Sequence, residues 1–396
     1  MLIYNAKVHA LDAASTIIES GFVEFDEQTG KITAVGDMSD CPKTDGGDYN
    51  ANGAAVLPGF VDAHAHVGVW GNGEGIEGDD GNETTDPSTP HLRGIDMVNP
   101  ADFCFTEAAR AGITTVMCGP GSANPIGGQF LVMKTAGGSK SDIERRVIKA
   151  PAAMKFAFGE NPKMVYRERS EAPVTRMATA AIIREQLFKA RRYLEAIEKH
   201  EGDPESDLPE FDMKCEALLP VLRREIPVHA HAHRTDDIFT AMRIAREFDL
   251  RLTLLHATEA ADIAGELAES GDIGVIIGPV LCDRSKPELA GHTITTAAKL
   301  ESAGVLFAIA TDHPVIPVQY LPLSAGLAIR GGLSKDIGLR AITADAARLC
   351  GVYERVGSLE VGKDADIVIM RGGAGEFYDV LTTPEAVFID GRRVEV

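Results

Sequence analysis

The chain has 396 residues, of which 44% are hydrophobic and 25% are charged, a composition typical of an ordinary globular protein. Its formal net charge of -20 argues against binding nucleic-acid phosphates or an anionic membrane as its main task. No stretch approaches the roughly 18 consecutive apolar residues of a membrane span. The length suits one large domain with a smaller one, and we expect a small-molecule partner.

The first residues and the cysteines bear on the cellular compartment. The opening stretch MLIYNAKVHALDAA lacks both a basic leader with an apolar segment and a small-residue cleavage site, and it predicts a β-strand. The six cysteines are scattered, without a Cys-x-x-Cys pair. We therefore expect free thiols and a cytoplasmic location.

Short alternating strands are predicted at both ends of the chain. The N-terminal part contains LIYNAKVHAL and GFVEFDEQTGKITAVGD, and the C-terminal part contains DADIVIMRG and EAVFIDGRRVEV. Apolar and polar residues that alternate around Gly-containing turns are typical of antiparallel strands. We expect residues 1–56 and 350–396 to form one small β-sandwich from both termini.

Between these ends, residues 57–349 alternate β-rich and helical patterns. Runs such as GITTVMC, LRLTLLHA and VLFAIATD are separated by stretches such as TRMATAAIIREQLFKARRYLEAIEK. About eight such strands favour an α/β fold with a parallel sheet, a (β/α)8 TIM-like barrel, over an open doubly wound sheet. No Gly-x-Gly-x-x-Gly follows the first strand, which argues against a dinucleotide-binding fold.

Two histidines one residue apart follow the apolar run AAVLPGF. Because alternate residues of a strand share a face, His64 and His66 should project side by side. Two neutral imidazoles suit a divalent metal, but two surface histidines at a strand end would give the same pattern. The motif alone leaves both interpretations open.

Polar residues end other strands of the predicted barrel, and barrel active sites lie at the C-terminal ends of the strands. IPVHAHAH carries three histidines on one strand face, LRLTLLHA contains one more, and VLFAIATD ends in an aspartate. Together with the first pair, six of the eleven histidines lie at such strand ends. We therefore expect a metal site drawn from His64, His66, His229, His231, His233, His256 and Asp312.

These motifs resemble those of the amidohydrolase superfamily of metal-dependent hydrolases over nearly the whole chain. The resemblance rests on LPGFVDAHAH, a histidine of strand 5, LLHATE, IATDHP and the closing GSLEVGKDADIVI. Within the superfamily the chain looks most like the imidazolonepropionase and Xaa-Pro dipeptidase-like branch. The resemblance implies that His64, His66 and Asp312 bind the more buried metal, and that His256 and a strand-5 histidine bind a second metal if one is present.

The choice of ligand from the fifth and fourth strands of the predicted barrel leaves alternatives open. The resemblance favours His231 as the strand-5 ligand, while His229 lies deeper and His233 lies further into the loop, where either would act behind the ligands or touch the substrate. Lys155, in APAAMKFAFGENPK, resembles the lysine that family members carboxylate with carbon dioxide to form a bridging carbamate. The alternatives are Glu160 as the bridge and Lys155 as an ordinary barrel lysine.

The expected reaction is hydrolysis of a carbon–nitrogen bond. A divalent metal lowers the pKa of bound water to near neutrality, and Asp312 is placed to take the proton and pass it to the leaving nitrogen. Zinc is the expected ion for a histidine-rich site with one carboxylate, with one or two ions bound and manganese or iron as alternatives.

The expected substrate is a small amide, cyclic amide or dipeptide. The loop GPVLCDRSKPELAGH offers Arg284, Lys286 and His292 for substrate binding, and arginine can clamp a carboxylate, although an ordinary solvated loop would look the same. Deamination of an amino-substituted ring or amidine is the alternative activity, and a metal-free scaffold protein is a remote one. We expect a homo-oligomer, with neither a nucleic-acid nor a membrane partner.

Overall fold

Two eight-stranded sheets organise the molecule in a computed structural model, which describes residues 1–71, 75–137, 143–371 and 377–395. The strands are β1 (Leu2–His9), β2 (Ile17–Asp26), β3 (Lys31–Asp37), β4 (Tyr49–Asn50), β5 (Ala55–Pro58), β6 (Phe60–Ala65), β7 (Ile113–Cys118), β8 (Ile126–Lys134), β9 (Val147–Ala157), β10 (Val228–Ala232), β11 (Leu252–His256), β12 (Gly274–Ile277), β13 (Phe307–Ile309), β14 (Ile367–Met370), β15 (Ala386–Ile389) and β16 (Arg392–Arg393).

The helices lie between the strands of the central part of the chain. They are α1 (Gly94–Met97), α2 (Cys104–Arg110), α3 (Glu160–Glu168), α4 (Arg176–Gly202), α5 (Met213–Leu222), α6 (Thr235–Phe248), α7 (Ala264–Glu269), α8 (Thr296–Ala303), α9 (Leu321–Arg330), α10 (Lys335–Arg340) and α11 (Ala344–Leu349). The longest, α4, begins where the Thr175 hydroxyl accepts a hydrogen bond from the backbone N–H of Ala178, which satisfies one of the free N–H groups of its first turn. None of the described helices is both long and apolar enough to span a membrane.

The first sheet joins the two ends of the chain. Its order is β16-β15-β14-β5-β1-β2-β3, with β4 beside β1, and β5 pairs with β1 on one side and with β14 on the other. The rings of Phe25 on β2 and Phe388 on β15 lie 5.5 Å apart, although three strands separate β2 from β15 in the sheet. The sheet therefore folds over a shared apolar core, as expected for a sandwich built by both termini. The domain boundaries at 56/57 and 349/350 stay a prediction.

The second sheet is the barrel, with β6 to β13 in chain order. The backbone N–H of Asp312 donates to the carbonyl of His64 at 3.0 Å, and that of His66 donates to the carbonyl of His313 at 2.9 Å. These bonds bring the segment after β13 beside β6. The predicted α/β barrel of eight strands is therefore confirmed.

One barrel strand departs from the all-parallel sheet that the sequence predicted. β8 pairs antiparallel with both β7 and β9, whereas the other paired neighbours run parallel. Only residues 119–125 join β7 to β8, and a parallel connection needs a crossover of about a dozen residues or more. The short connection therefore reverses the strand.

Apolar side chains close one end of the barrel and leave the other end for polar groups. Val61, Leu255 and Ile276 pack inside the barrel in one buried cluster with residues of α11. A Cβ on Gly274, the first residue of β12, would meet Leu349 of α11 at 2.3 Å, so this helix closes the N-terminal ends of the strands. The six cysteines are free thiols, as predicted.

Candidate active site

The histidines at the end of β6 converge on the carboxylate that follows β13. Nε2 of His64 and Nε2 of His66 each lie 3.3 Å from Oδ1 of Asp312. Both histidines are buried, at 2% and 5% exposure, so they are not a surface pair. Two ligand atoms that are each about 2.0–2.1 Å from a tetrahedral zinc ion lie about 3.3–3.4 Å apart, so the spacing fits one shared ion.

Hydrogen bonds to backbone carbonyls hold Nδ1 of His66 and Nδ1 of another histidine, His256, at the end of β11. Nδ1 of His66 bonds to the carbonyl of Gly119, and Nδ1 of His256 bonds to the carbonyl of Gly278, each at 2.7 Å. A carbonyl only accepts, so Nδ1 carries the proton and Nε2 keeps its lone pair. Metal-binding histidines are commonly oriented in this way.

Strands β10 and β11 bring a second group of imidazoles beside the first. The ligand nitrogens of His231, His233 and His256 all lie within 4.8 Å of one another, and His256 forms a similar group with His64 and Asp312. Nδ1 of His231 bonds to the Ser122 hydroxyl at 2.9 Å. The two groups therefore share His256 and form one continuous cluster.

His231 has its lone pair on the inner nitrogen. The Asn161 amide nitrogen, which only donates, lies 3.5 Å from Nε2 of His231. His233 is held similarly, with Nδ1 at 2.7 Å from the Thr258 hydroxyl. Lone pairs of several imidazoles therefore point into the cluster.

Burial favours the neutral form of these histidines, whereas neighbouring imidazoles favour the charged form of the aspartate. It lowers the pKa of His64 and the pKa of His256 to about 3, and it is the main cause that puts the pKa of His231 and that of His233 well below the usual range. Burial would raise the pKa of Asp312, but the adjacent imidazoles, His256 first, lower it well below its ordinary value. Neutral imidazoles around an ionised carboxylate are a ligand set for a divalent metal.

Lys155 points into the barrel from β9 and is fully buried. Its Nζ has no hydrogen-bond partner in the part of the chain that the structure describes, and burial lowers its pKa to about 7. The carboxylate of Glu160, at the start of α3, accepts a long 3.4 Å hydrogen bond from the N–H of Glu288. Glu160 is in neither ligand group found among the described residues.

His229, the first histidine of β10, lies deeper than His231 and His233. His229 pairs in register with Lys155 of β9, and neither ring nitrogen has a hydrogen-bond partner among residues 1–71, 75–137, 143–371 and 377–395. Burial lowers the pKa of His229 to about 3. It lies beneath the cavity, whereas His231 and His233 line the cavity wall.

A cavity of about 450 Å³ opens above the cluster. Its wall includes Trp70, Asn161 and Lys286 beside the histidines and Asp312. Nζ of Lys286 donates to Oδ1 of Asn161 at 2.8 Å, so the ammonium group is fixed at the wall.

The other two loop residues predicted to bind substrate are engaged elsewhere. The Arg284 guanidinium donates to the carbonyls of Ala290 and His292, at 3.1 and 2.6 Å, and it thereby holds its own loop. Nε2 of His292 lies 3.1 Å from the carbonyl of Val280. Neither Arg284 nor His292 lines the described cavity, and their contact with substrate stays a prediction.

Sequence reasoning missed two buried carboxylates beside the cluster, Asp62 and Glu288. Asp62 accepts hydrogen bonds from the N–H of His64 at 3.3 Å and from the N–H of Thr311 at 3.2 Å, and burial raises its pKa to about 7. It therefore ties the end of β6 to the residues before Asp312. Its position two residues before His64, in the alternating run DAHAH, is a signal that could have identified it.

The comparisons with known proteins agree with this geometry. The model of the amidohydrolase family matches residues 55–394. A crystal structure of an amidohydrolase from Thermotoga maritima MSB8 is 41% identical with a TM-score of 0.92, covering 100% of this chain and 99% of that one. The chain therefore belongs to the amidohydrolase family and is a hydrolase that acts on carbon–nitrogen bonds.

Two curated relatives differ in how much of their length the chain covers. The amidohydrolase tasK of Hapsidospora irregularis is 30% identical over 87% of this chain, but the match spans only 36% of that protein. An imidazolonepropionase of Maricaulis maris (strain MCS10) is 24% identical over 92% of this chain and 89% of its own length.

Proposed function

We propose that this amidohydrolase cleaves a carbon–nitrogen bond of a small amide, cyclic amide or dipeptide in the cavity beside Asp312, using one or two divalent metal ions. The observation that carries the proposal is the convergence of His64 Nε2 and His66 Nε2 on one oxygen of Asp312, each at 3.3 Å. Zinc is the first choice for such a ligand set, with manganese or iron as alternatives.

The ligands divide into two sets in this proposal. His64, His66 and Asp312 would hold one ion, and His231 and His256 would hold the second. When bound, the metal lowers the pKa of a water molecule and polarises the scissile group. Asp312, which lines the cavity, takes the proton of the water at its carboxylate and passes it to the leaving nitrogen.

Lys286 and Asn161 would orient the substrate, and Trp70 would pack against it. The Lys286 ammonium suits an anionic or carbonyl group of the substrate, while His233 borders the same space. Relatives named imidazolonepropionase favour a cyclic amide, because an imidazolone ring contains one. His229, Arg284 and His292 do not line this cavity. They would support the residues that do.

Lys155 would supply the bridge between the ions as a carbamate. Its neutral amine would add to carbon dioxide, forming a nitrogen–carbon bond and releasing one proton, and the two metals would hold the product. The buried amine without a described partner and its pKa of about 7 support this step, since only the neutral amine reacts.

A substrate screen tests the proposal directly. Metal-loaded enzyme is assayed against N-acyl amino acids, dipeptides, hydantoins, imidazolones and ring amines, with metal-stripped enzyme as the control. Metal-dependent cleavage of an amide, cyclic amide or dipeptide supports the proposal, whereas release of ammonia from ring amines alone would establish the deaminase. A cytoplasmic homo-oligomer completes the proposal, and the free thiols support that location.

A further inference from the structure

The ammonium group of Lys286 has a buried counter-ion behind the cavity wall. This counter-ion is Glu288, on the short turn Pro287–Leu289 after β12, and its side chain is 1% exposed. Nζ of Lys286 lies 2.6 Å from Oε1 of Glu288. The same oxygen is 3.7 Å from Nε2 of His231 and 3.6 Å from Nε2 of His233, too far for hydrogen bonds. Lys286 is therefore the ionic partner of Glu288, and the pair has no net charge.

The turn that follows β9 fixes the glutamate in this position. Oε2 of Glu288 accepts a hydrogen bond from the N–H of Glu160 at 2.9 Å, and the N–H of Glu288 donates to the carboxylate of Glu160 at 3.4 Å. Gly159 has a φ of 81°, and a Cβ there would lie 2.8 Å from Oε2 of Glu288. A side chain at position 159 would displace the carboxylate, so this turn is shaped around Glu288.

Lys286 keeps one hydrogen-bond donor for the cavity. Its Nζ donates to Oδ1 of Asn161 at 2.8 Å, and the ion pair with Glu288 engages a second side of the ammonium group. An ammonium group has three N–H donors, so one remains for a ligand. Among the described residues of the cavity wall, Lys286 is the only lysine or arginine, and Glu288 lies outside that wall. The cavity therefore meets a single donor of a neutral ion pair.

A ligand atom that accepts from this donor would lie close to the buried carboxylate. Two acceptors that are each about 2.7 Å from one tetrahedral nitrogen lie about 4.4 Å apart. Glu288 would repel a substrate carboxylate at that distance, and burial weakens the screening of this repulsion. A neutral carbonyl accepts the same hydrogen bond without the repulsion, and its transfer from water costs less than that of a charge.

We infer that Glu288 is a positioning residue that holds Lys286 as a hydrogen-bond donor to a neutral carbonyl of the substrate. The preferred substrates are then small amides or cyclic amides that present a carboxamide or ring carbonyl to Lys286 in place of a carboxylate. The inference rests on the proposed function, because it concerns the substrate of the same cavity.

Matched pairs of substrates test the inference. Each pair is an N-acyl amino acid, a dipeptide or a hydantoin acid, together with the same compound in which a carboxamide replaces the carboxylate. The values of kcat and KM are measured for zinc-loaded wild type, Glu288→Gln and the control Asp283→Asn. Asp283 is an exposed residue of the same loop, and its carboxylate accepts a hydrogen bond from the N–H of Arg284 at 2.7 Å. The control therefore removes an equal charge outside the Lys286 ion pair.

The informative quantity is the ratio of kcat/KM for the carboxamide to kcat/KM for the carboxylate. In wild type and in Asp283→Asn we expect this ratio to be at least about 10, because like charges brought together without screening are costly. In Glu288→Gln the lysine charge is no longer balanced, so the ratio should shift toward the carboxylate by about tenfold or more, mainly through KM. A purely structural role of Glu288 would change both members of a pair equally.

Three outcomes would overturn the inference while leaving the proposed hydrolase standing. These are a wild type that favours the carboxylate, a ratio that Glu288→Gln leaves unchanged, and an equal shift in Asp283→Asn. Wild type that binds zinc but cleaves no compound of any pair would overturn the proposed function itself. If Glu288→Gln fails to fold or to turn over, Lys286→Met is measured in its place. Its KM for the carboxamide should rise by about tenfold or more with kcat near the wild-type value, and an unchanged KM contradicts the assignment.

Discussion

Two buried lysines on neighbouring barrel strands have opposite surroundings. Nζ of Lys134, at the end of β8, lies 3.0 Å from Asp364, 2.6 Å from Asp366 and 3.1 Å from Asp390. Burial would lower the pKa of Lys134, but these carboxylates raise it. Nζ of Lys155, on β9, has no hydrogen-bond partner among the described residues, and burial lowers its pKa to about 7.

This difference in partners indicates that Lys134 stabilises the fold, whereas Lys155 lies at the candidate site. Lys134 belongs to the barrel, whereas its three partners flank β14 and β15 of the terminal sheet, so the paired lysine joins the two sheets. Lys155 lies beside the histidine cluster, and its amine has no hydrogen-bond partner among the described residues. The partners around a buried lysine therefore decide whether its pKa is raised or lowered.

The largest expected effect belongs to the first histidine pair. Replacing His64 and His66 together by asparagine should remove one metal and lower turnover by at least about 10⁴-fold, because water activation is lost. The melting temperature of the metal-free protein should change little, since the apolar barrel core does not depend on these rings. Full metal occupancy in the double variant, measured by elemental analysis, would contradict the assignment.

Asp312→Asn should lower turnover by about 10²–10⁴-fold, because the amide keeps the shape of the carboxylate but cannot accept a proton. Part of the metal should remain bound. The check is a pH–rate profile of the variant beside wild type. An unchanged profile would place the proton transfer elsewhere, and His313 would be the next residue to replace.

Lys134→Met should reduce the free energy of unfolding by about 3–5 kcal/mol, because it leaves buried carboxylates without their cation. Turnover per folded molecule should stay near the wild-type value. Lys155→Met is the matched control, since it removes a buried amine that has no described partner. Denaturant unfolding measures the stability of both variants. Equal losses of stability would contradict the different roles of the two lysines.

Lys155→Ala should weaken binding of the second metal by about tenfold or more, because the carbamate bridge is lost. Reconstitution of metal-stripped wild type should depend on bicarbonate, and short carboxylic acids should partly rescue the variant. Full recovery of wild-type activity without carbon dioxide, together with two metals in Lys155→Ala, would show that another group bridges the ions.

A further effect is a pH dependence of stability in the metal-free protein. The folded pKa of Lys155 is about 7 and the unfolded value is about 10.4, so the unfolded chain holds more protons between these values. Stability should therefore rise with pH across this window, by up to about 1.4 kcal/mol per pH unit. Lys155→Met should lack this slope in denaturant titrations.

The contribution of Lys134 to the pH dependence of stability has the opposite sign. Its folded pKa is raised, so its contribution is present below the unfolded value of about 10.4 and is lost as the pH rises through the higher folded value. It therefore leaves the slope between about pH 7 and 10 unchanged. If Lys155→Met showed a slope of stability against pH as steep as that of wild type, the slope would belong to another group.

Much of the fold was predictable because its signals are local. Apolar runs separated by helical patterns indicated the eight barrel strands, and the alternation in DAHAH correctly put His64 and His66 on one side. The direction of β8 was not predictable from its pattern, because side chains alternate in the same way in parallel and antiparallel strands. The short connection 119–125 was the available clue.

The remaining parts of the site depend on distant contacts. Glu288, in the charged run DRSKPEL, is buried only because the turn after β9 folds against it, and no local pattern reports that. Arg284 illustrates the converse, since a guanidinium that suits a substrate carboxylate instead binds the carbonyls of its own loop. Burial and partner choice are tertiary properties, whereas residue type and spacing are local.

The proposed function requires that the histidine cluster holds catalytic divalent metal. The most direct measurement is the metal content of freshly purified protein, prepared without chelators and compared before and after equilibration with zinc. We predict one or two tightly bound equivalents of divalent metal per chain. A well-folded protein that contains no metal and takes up none would contradict it.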